Sequence, residues 1–165
     1  MKKLCLTSVI AVLILFLSTG MQGQTTQPQL DQLKLMEQFL GNWQQDVGKD
    51  TVFVWEFQKF GKAIFANTYN IIKSQKIPFS IICYGFDKEL NKFKGYSLSS
   101  DGGYGTWIAS FTSQSVYHVD AVQNLNPDII YEKYDCVFEN PNQWTMTTFN
   151  QDGVKIAEVK NIKAK

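Results

Sequence analysis

The sequence predicts an all-β protein, an up-and-down antiparallel barrel of about ten strands with one short N-terminal helix. From residue 42 onward, apolar and polar residues alternate with a period of two, as in half-buried strands. Turn residues recur about every ten positions, for example Asp101-Gly102-Gly103 and Gln151-Asp152-Gly153. Because connections this short force neighbouring strands to run antiparallel, and a long meander avoids exposed edges by closing, we expect a barrel.

The turn residues delimit the candidate strands along the chain. With 165 residues, the chain is long enough for one domain and hardly for two, so residues 30–165 are expected to form a single barrel domain. The ten predicted strands are 42–47, 51–60, 63–73, 77–86, 92–100, 104–113, 115–124, 128–139, 143–150 and 154–163.

One helix is expected immediately before the strands. Apolar residues between Leu30 and Leu40 follow helical spacing, which predicts two or three turns that could cover an open end of the barrel. Gly41 suits the end of this helix because glycine accepts a positive φ. Trp43 then begins the first strand, and its side chain is large enough to plug one end of the barrel. We assign Gly41 and Trp43 structural roles.

The N-terminus predicts export. Lys2 and Lys3 precede an apolar run of 14 residues, 4–17, followed by a small and polar stretch. A membrane-spanning helix needs about 20 apolar residues, so residues 1–23 are predicted to be a signal peptide that is cleaved after Gly20 or Gly23. The alternative is an uncleaved membrane anchor. Residues 24–29 are predicted to be a flexible leader. We therefore expect a periplasmic or secreted protein with no membrane insertion after cleavage.

The charge pattern excludes several classes of binding partner. All 16 basic residues are lysines, and they face 15 carboxylates. Without the signal peptide the net charge is close to −1, so there is no basic excess to bind nucleic acid or an anionic membrane. Arginine, the usual bidentate partner of carboxylate and phosphate, is absent. A neutral or weakly polar ligand is therefore favoured over one with an anionic head.

Candidate ligand-binding residues come from strand parity, with the more apolar face taken as the interior. Phe53, Trp55 and Phe57 share one such face, and Ile130 shares another with Glu132 and Tyr134. Glu132 and Tyr134 would fix the orientation of a ligand, although an outward Glu132 is the alternative. The predicted ligand-binding residues are Phe53, Trp55, Phe57, Tyr69, Trp107, Phe111, Tyr117, Glu132 and Tyr134.

Residues for catalysis or metal binding are sparse. One histidine, His118, and two cysteines outside the signal peptide, Cys83 and Cys136, provide no metal-ligand spacing. Export would permit a disulfide between the cysteines; two buried thiols are the alternative. Parity turns His118 outward, and no nucleophile accompanies it. We expect no catalytic residue, no metal and no cofactor, and an enzyme is the less favoured class.

Several short motifs resemble a known family. Gly41-Asn42-Trp43 resembles the Gly-x-Trp motif that opens the first strand of lipocalins and other calycins. Tyr84-Gly85-Phe86-Asp87, Lys92-Phe93-Lys94-Gly95-Tyr96, Ser100-Asp101-Gly102-Gly103 and Gly105-Thr106-Trp107 follow in an order similar to that of an uncharacterised bacterial family with a calycin-like barrel, domain of unknown function 1579. The resemblance covers about residues 33 to 163. It implies a lipocalin-like barrel and no established activity.

The chain differs from these families in its basic residues, which are all lysines. Lipocalins stack an arginine from a late strand on the Gly-x-Trp tryptophan, and fatty-acid-binding proteins use arginine for the ligand carboxylate. Here Lys160 or Lys163 would have to cover Trp43. Some related barrels bind haem through a single histidine, which makes a haem site at His118 an alternative that the outward orientation disfavours.

These observations lead to a functional expectation. The protein is expected to be an exported, non-catalytic barrel that binds a small, mostly apolar ligand inside. One alternative is an envelope interaction or structural domain, which is indicated by the apolar residues on both faces of 80–86. The other alternative is a haem-binding barrel that uses His118. A second copy of the chain, forming a homodimer, is the other expected partner.

Overall fold

The computed structural model describes residues 29–164, which form one closed barrel of ten antiparallel strands behind a short helix. Every strand pairs with its sequence neighbours, and the first strand pairs with the last. The predicted all-β up-and-down barrel is therefore confirmed. The elements are α1 (Gln32–Met36), a 3₁₀ turn (Glu37–Phe39), β1 (Gly41–Gly48), β2 (Thr51–Phe60), β3 (Ala63–Ile72), β4 (Gln75–Asp87), β5 (Lys92–Ser99), β6 (Tyr104–Phe111), β7 (Val116–Gln123), β8 (Asn126–Asn140), β9 (Gln143–Asn150) and β10 (Lys155–Lys163).

The predicted export signal lies outside the described part of the chain. Residues 1–23, the predicted signal peptide, and all but the last residue of the leader 24–29 precede the described range. Within residues 29–164, no helix has the length and apolar character needed to cross a membrane.

The helix is shorter than the apolar spacing predicted. Asp31 caps α1, its carboxylate accepting a hydrogen bond from the backbone N–H of Lys34 at 3.1 Å. The helical spacing then continues through the 3₁₀ turn, which keeps Met36 and Phe39 buried on one side. Gly41 follows with φ of 109°, the positive value expected of it.

Gln32 joins the helix to the barrel. Its amide Nε2 donates to the carbonyl oxygen of Phe111 at 3.0 Å, and its Oε1 accepts from the backbone N–H of Phe111 at 2.7 Å. Gln32 is buried, so both backbone groups of the last residue of β6 depend on this one side chain. Helix α1 therefore covers the end of the barrel at which β6 terminates.

Phe39 enters this end of the barrel and meets five aromatic rings there. The ring centroids lie 4.7 to 6.4 Å from that of Phe39, mostly in edge-to-face or tilted arrangements. We call these six residues the aromatic floor. The aromatic floor consists of Phe39, Phe57, Phe111, Tyr117, Phe138 and Trp144.

Trp43 lies beneath the floor and fixes the backbone of the 3₁₀ turn. It is fully buried, and its Nε1 donates to the carbonyl oxygen of Phe39 at 2.6 Å. Lys163 Nζ stands 5.1 Å from the Trp43 ring centroid, so it is the lysine that covers this tryptophan. A Cβ at Gly41 would come 3.2 Å from Lys163 Cε, which gives Gly41 a second reason to be glycine.

The barrel seam is short. Strands β1 and β10 pair only through Trp43 with Lys163 and Gln44 with Ile162, close to the helix-covered end. By contrast, β3 and β4 pair along nearly their whole lengths. The edge of β10 away from the helix carries charged residues such as Lys155 and Glu158, which discourage pairing with another chain.

Two β-bulges interrupt the alternation of inward and outward side chains within their strands. One lies in β4 opposite Thr68 and Tyr69, and the other in β8 opposite Ala121 and Val122. A bulge inserts an extra residue, so the alternation breaks there. In β8, Ala121 faces Glu132 and Val122 faces Ile130, which leaves Tyr131 as the extra residue.

Two predicted side-chain directions are wrong. Tyr69 lies on the outer face of β3, where Lys76 Nζ stands 3.7 Å from its ring centroid. Ile130 shares the outer register with Val122 rather than the interior with Glu132, because the bulge at Tyr131 intervenes. Cys83 and Cys136 are free thiols; Cys83 shares the outer register of β4, whereas Cys136 is buried inside, so the disulfide does not form.

The double hydrogen bond of Gln32 leads to a first prediction. Replacing Gln32 by Ala should lower the free energy of unfolding by about 2 kcal/mol, because two buried backbone groups lose their partner. Gln38→Ala is the matched control, since its bonds to the carbonyl oxygens of Leu35 and Gln114 are less buried, and it should cost less than about 1 kcal/mol. Urea unfolding measures both; equal losses would contradict this role of Gln32.

Candidate ligand-binding cavity

A cavity of about 310 Å³ lies inside the barrel above the aromatic floor. Its volume is at the lower end of the range of small-molecule sites, which begins near 300 Å³. Its lining is almost entirely aromatic or aliphatic. The lining residues are Phe39, Trp55, Phe57, Ile82, Tyr84, Ser97, Gly105, Trp107, Tyr117, Val119, Ala121, Tyr131, Tyr134, Cys136, Trp144 and Met146.

Small residues on the inner face of the barrel, next to strands that carry large rings, leave the space of the cavity. Gly95 pairs with Tyr84 on one side and Trp107 on the other, and these two rings meet with centroids 5.6 Å apart. A Cβ at Gly95 would lie 2.0 Å from Trp107 Nε1, so no other residue fits there without moving the indole. Ala121, the other cross-strand neighbour of Trp107, leaves space on the opposite side.

Three polar residues of β8 stand near the end of the cavity away from the floor. The bulge brings Tyr131 into the lining, where its hydroxyl would be 3.7 Å from a Cβ at Gly105. The Tyr134 hydroxyl donates a hydrogen bond to the carboxylate of Glu132. Burial raises the pKa of Tyr134, and the bond to Glu132 raises it further, so the phenol stays protonated. Burial and the Glu132 charge likewise raise the pKa of Tyr131.

A second set of polar side chains, Tyr84, Tyr117 and Cys136, lies deep in the cavity, next to the floor. Burial raises the pKa of the Tyr84 and Tyr117 phenols and of the Cys136 thiol. The proximity of Tyr84 and Cys136 raises the pKa of Tyr117 further. All three groups are therefore neutral hydrogen-bond donors at physiological pH.

The structure brings together most of the residues predicted from strand parity. Trp55, Phe57, Trp107, Tyr117 and Tyr134 line the cavity. The other four predicted residues do not line the cavity. Glu132 is on the inner register and bonds to the lining residue Tyr134, and Phe111 is buried in the floor. Phe53 packs against Trp55 and Phe79, and Tyr69 is on the outer wall.

Several lining residues were not predicted, for different reasons. Phe39 comes from the 3₁₀ turn rather than from a strand, so strand parity does not apply to it. Tyr84 lies in a segment that is apolar on both faces, where alternation gives no direction. Tyr131 enters only because of the bulge. Trp144 and Met146 do alternate with polar residues, and parity could have identified them.

His118 lies on the outer wall of the barrel, as its strand pattern predicted. Its Nδ1 is 2.6 Å from Asp135 Oδ1, and its Nε2 is 3.2 Å from Asp120 Oδ1. Its cross-strand neighbours Ser110 and Asp135 share the outer register. With both ring nitrogens engaged outside the barrel, His118 is not part of the cavity.

Neither a scan against protein-family models nor a search of curated proteins finds a match to this chain. The resemblance of its motifs to a calycin-like family therefore stays a prediction. The candidate site is defined by its own geometry.

The close contact between Gly95 and Trp107 leads to a second prediction. Gly95→Ala should lower the free energy of unfolding by about 2 kcal/mol, because the methyl group forces the buried indole to move. It should also change the tryptophan fluorescence. The matched control is Gly85→Ala in the neighbouring strand, whose Cβ would make only ordinary contact, 3.8 Å from the Lys94 carbonyl oxygen. Thermal unfolding and emission spectra of both variants test this; an unchanged Gly95→Ala protein would contradict it.

Proposed function

We propose that this protein is an exported, non-catalytic binding protein that holds one small, mostly apolar ligand inside its barrel. The observation that carries the proposal is the cavity of about 310 Å³, lined by aromatic and aliphatic side chains with few polar groups. This combination is typical of small-molecule sites.

The electrostatics of the cavity support an uncharged ligand. No lysine lines it within the described residues, and Glu132, which accepts a hydrogen bond from the lining residue Tyr134, carries a carboxylate. A buried anion would have no cation to pair with and would face this carboxylate, which is unfavourable in a low-dielectric interior. Fatty-acid-like ligands are therefore disfavoured.

The position of His118 argues against the haem alternative. A haem inside the barrel needs an axial ligand that faces the cavity, whereas His118 lies on the outer wall between Asp120 and Asp135.

The cavity leads to a third prediction, tested by native mass spectrometry of protein purified without detergent from a host that exports it. We expect a reproducible extra mass that is lost on denaturation. Ala121→Phe should reduce the occupied fraction about tenfold, because the added ring fills the space beside Trp107. The control is Ala63→Phe, at the hairpin between β2 and β3 on the outer register, which should leave occupancy unchanged. A bare polypeptide mass for the wild-type protein, also after incubation with neutral apolar compounds, would contradict the proposal.

A second candidate function rests on the outer wall, where an apolar row crosses three strands. Ile81 pairs with Leu98, and Leu98 pairs with Tyr104. These side chains are exposed to 52%, 51% and 67%, which is unusual for adjacent large apolar residues. We propose that this row joins two copies of the chain, because an uncharged patch can face its own symmetry copy without repulsion.

The apolar row leads to a fourth prediction. Sedimentation should show a concentration-dependent dimer, and Leu98→Lys should weaken it at least tenfold by placing a charge in the centre of the row. Ile156→Lys is the matched control, since Ile156 is similarly exposed but lies on β10. A wild-type monomer at all concentrations, or equal effects of the two variants, would rule out this surface as the contact.

A further inference from the structure

The interior of the barrel stays apolar beyond the cavity, up to the end opposite helix α1. On β2, Phe53 lies two residues beyond the lining residue Trp55, which brings it about 7 Å nearer to that end. The two residues share the inner register, and their ring centroids are 5.3 Å apart. Phe79 of β4 follows, with its ring centroid 5.4 Å from that of Phe53. A continuous row of three aromatic rings therefore leads from the cavity to the rim of the barrel.

The bulges in β4 and β8 each contribute an aromatic ring to this end of the barrel. The strand pairing skips Phe79 in β4 and Tyr131 in β8, so these are the extra residues. A bulge re-aims the side chains around it, and here Phe79 meets Phe53 and Tyr131 joins the cavity lining. Three strands separate β4 from β8 on one side of the barrel and five on the other, so the two rings come from nearly opposite sides. We call the space between Phe53, Phe79 and Tyr131 the mouth.

The mouth is uncovered within residues 29–164. The strands are joined at this end by five turns of two to four residues, 49–50, 73–74, 100–103, 124–125 and 151–154. Phe79 and Tyr131 are each 50% exposed. Ile77 is 44% exposed, and it lies on the same inner register because its partner Asn70 also pairs with Phe53. Exposed apolar side chains that cluster, rather than occur singly, mark binding surfaces, and these cluster where an apolar cavity opens.

We infer that the ligand is an elongated, uncharged molecule with a linear hydrocarbon chain, which runs from the cavity beside Trp107 through the mouth between Phe79 and Tyr131. This inference rests on the proposed binding function and adds the shape and chemical class of the ligand. A compact molecule inside the cavity would leave the rings of the mouth in water, whereas a chain removes both from water with one apolar surface. The end of the chain that leaves the mouth is in contact with water, so a polar head group belongs there.

A series of 1-alkanols from hexanol to dodecanol tests this inference by titration of the tryptophan fluorescence, since Trp55, Trp107 and Trp144 line the cavity. Each added methylene group should tighten binding about fourfold as long as it is buried. For the wild-type protein we expect this gain to continue up to dodecanol. A gain that ends at a shorter chain, with hexanol still bound, would overturn the inference and leave the binding function intact.

Two variants locate the outer part of the chain. Phe79→Ala should weaken the binding of dodecanol about tenfold and leave that of hexanol unchanged, because Phe79 belongs to the mouth and not to the cavity lining. Tyr131→Ala removes a ring that belongs to both, so it should weaken dodecanol more than hexanol. Phe60→Ala is the matched control, because Phe60 is 77% exposed at the end of β2 near the helix, and it should change neither affinity. Unchanged dodecanol binding in both mouth variants, or equal losses for the two alkanols, would overturn the inference.

A bromine atom on the terminal carbon of the chain reports where its inner end lies. Bound 12-bromo-1-dodecanol should quench the tryptophan emission more strongly than 1-dodecanol does, because a heavy atom in contact with the indoles of the cavity shortens their excited state. Equal quenching by the two compounds would place the end of the chain away from the cavity and overturn the inference. Failure of every alkanol in the series to bind would refute the binding function itself.

Discussion

The packing of the Phe39 ring against five other aromatic rings is the interaction on which the rest of the structure depends. It inserts the end of the helical segment between strands β2, β6, β7, β8 and β9, and so closes one end of the barrel. The hydrogen bond from Trp43 Nε1 to the Phe39 carbonyl fixes the backbone beneath this ring, and the Gln32 side chain fixes the helix above β6. Without this floor, the cavity would be an open channel through a ten-stranded wall.

The cavity follows from an uneven distribution of side-chain volume along the barrel. The floor uses phenylalanine, tyrosine and tryptophan from five of the ten strands and from the 3₁₀ turn, which packs the interior with rings at that end. One layer further along, Gly95 and Ala121 are the two cross-strand neighbours of Trp107, so the positions on both sides of this ring contribute almost no side-chain volume. A barrel of this strand number cannot be filled by such a layer, and space remains. The same feature explains why a side chain at position 95 would displace the Trp107 indole, which is part of the cavity lining.

The sequence predicts the barrel better than it predicts the site. A period of two and frequent turn dipeptides determine the strand number and antiparallel order, because both are local properties of the chain. Parity also places Trp55, Trp107 and Tyr117 correctly, since their strands are regular. It fails for Ile130, because the bulge at Tyr131 intervenes, and a bulge is set by the fit of two neighbouring strands rather than by local pattern. It also fails for Tyr69, although β3 alternates regularly, because both faces of β3 carry large apolar residues and parity alone does not decide which face is inside. The contributions of Phe39 and Gly95 are equally non-local: each matters because of a ring that the fold brings to it from elsewhere in the chain.

Trp55 Nε1, Trp107 Nε1 and the Tyr117 hydroxyl are buried without a hydrogen-bond partner within residues 29–164, which conflicts with what stability alone would favour. Phenylalanine would fill the space of Tyr117 without an unpaired hydroxyl, and the ring contacts in the floor would be unchanged. A folded protein has only a small margin of stability, so a polar group in such a place is a measurable cost. Local features that oppose folding tend to occur where a protein does something else with them. In this barrel they occur on side chains whose other atoms line the cavity.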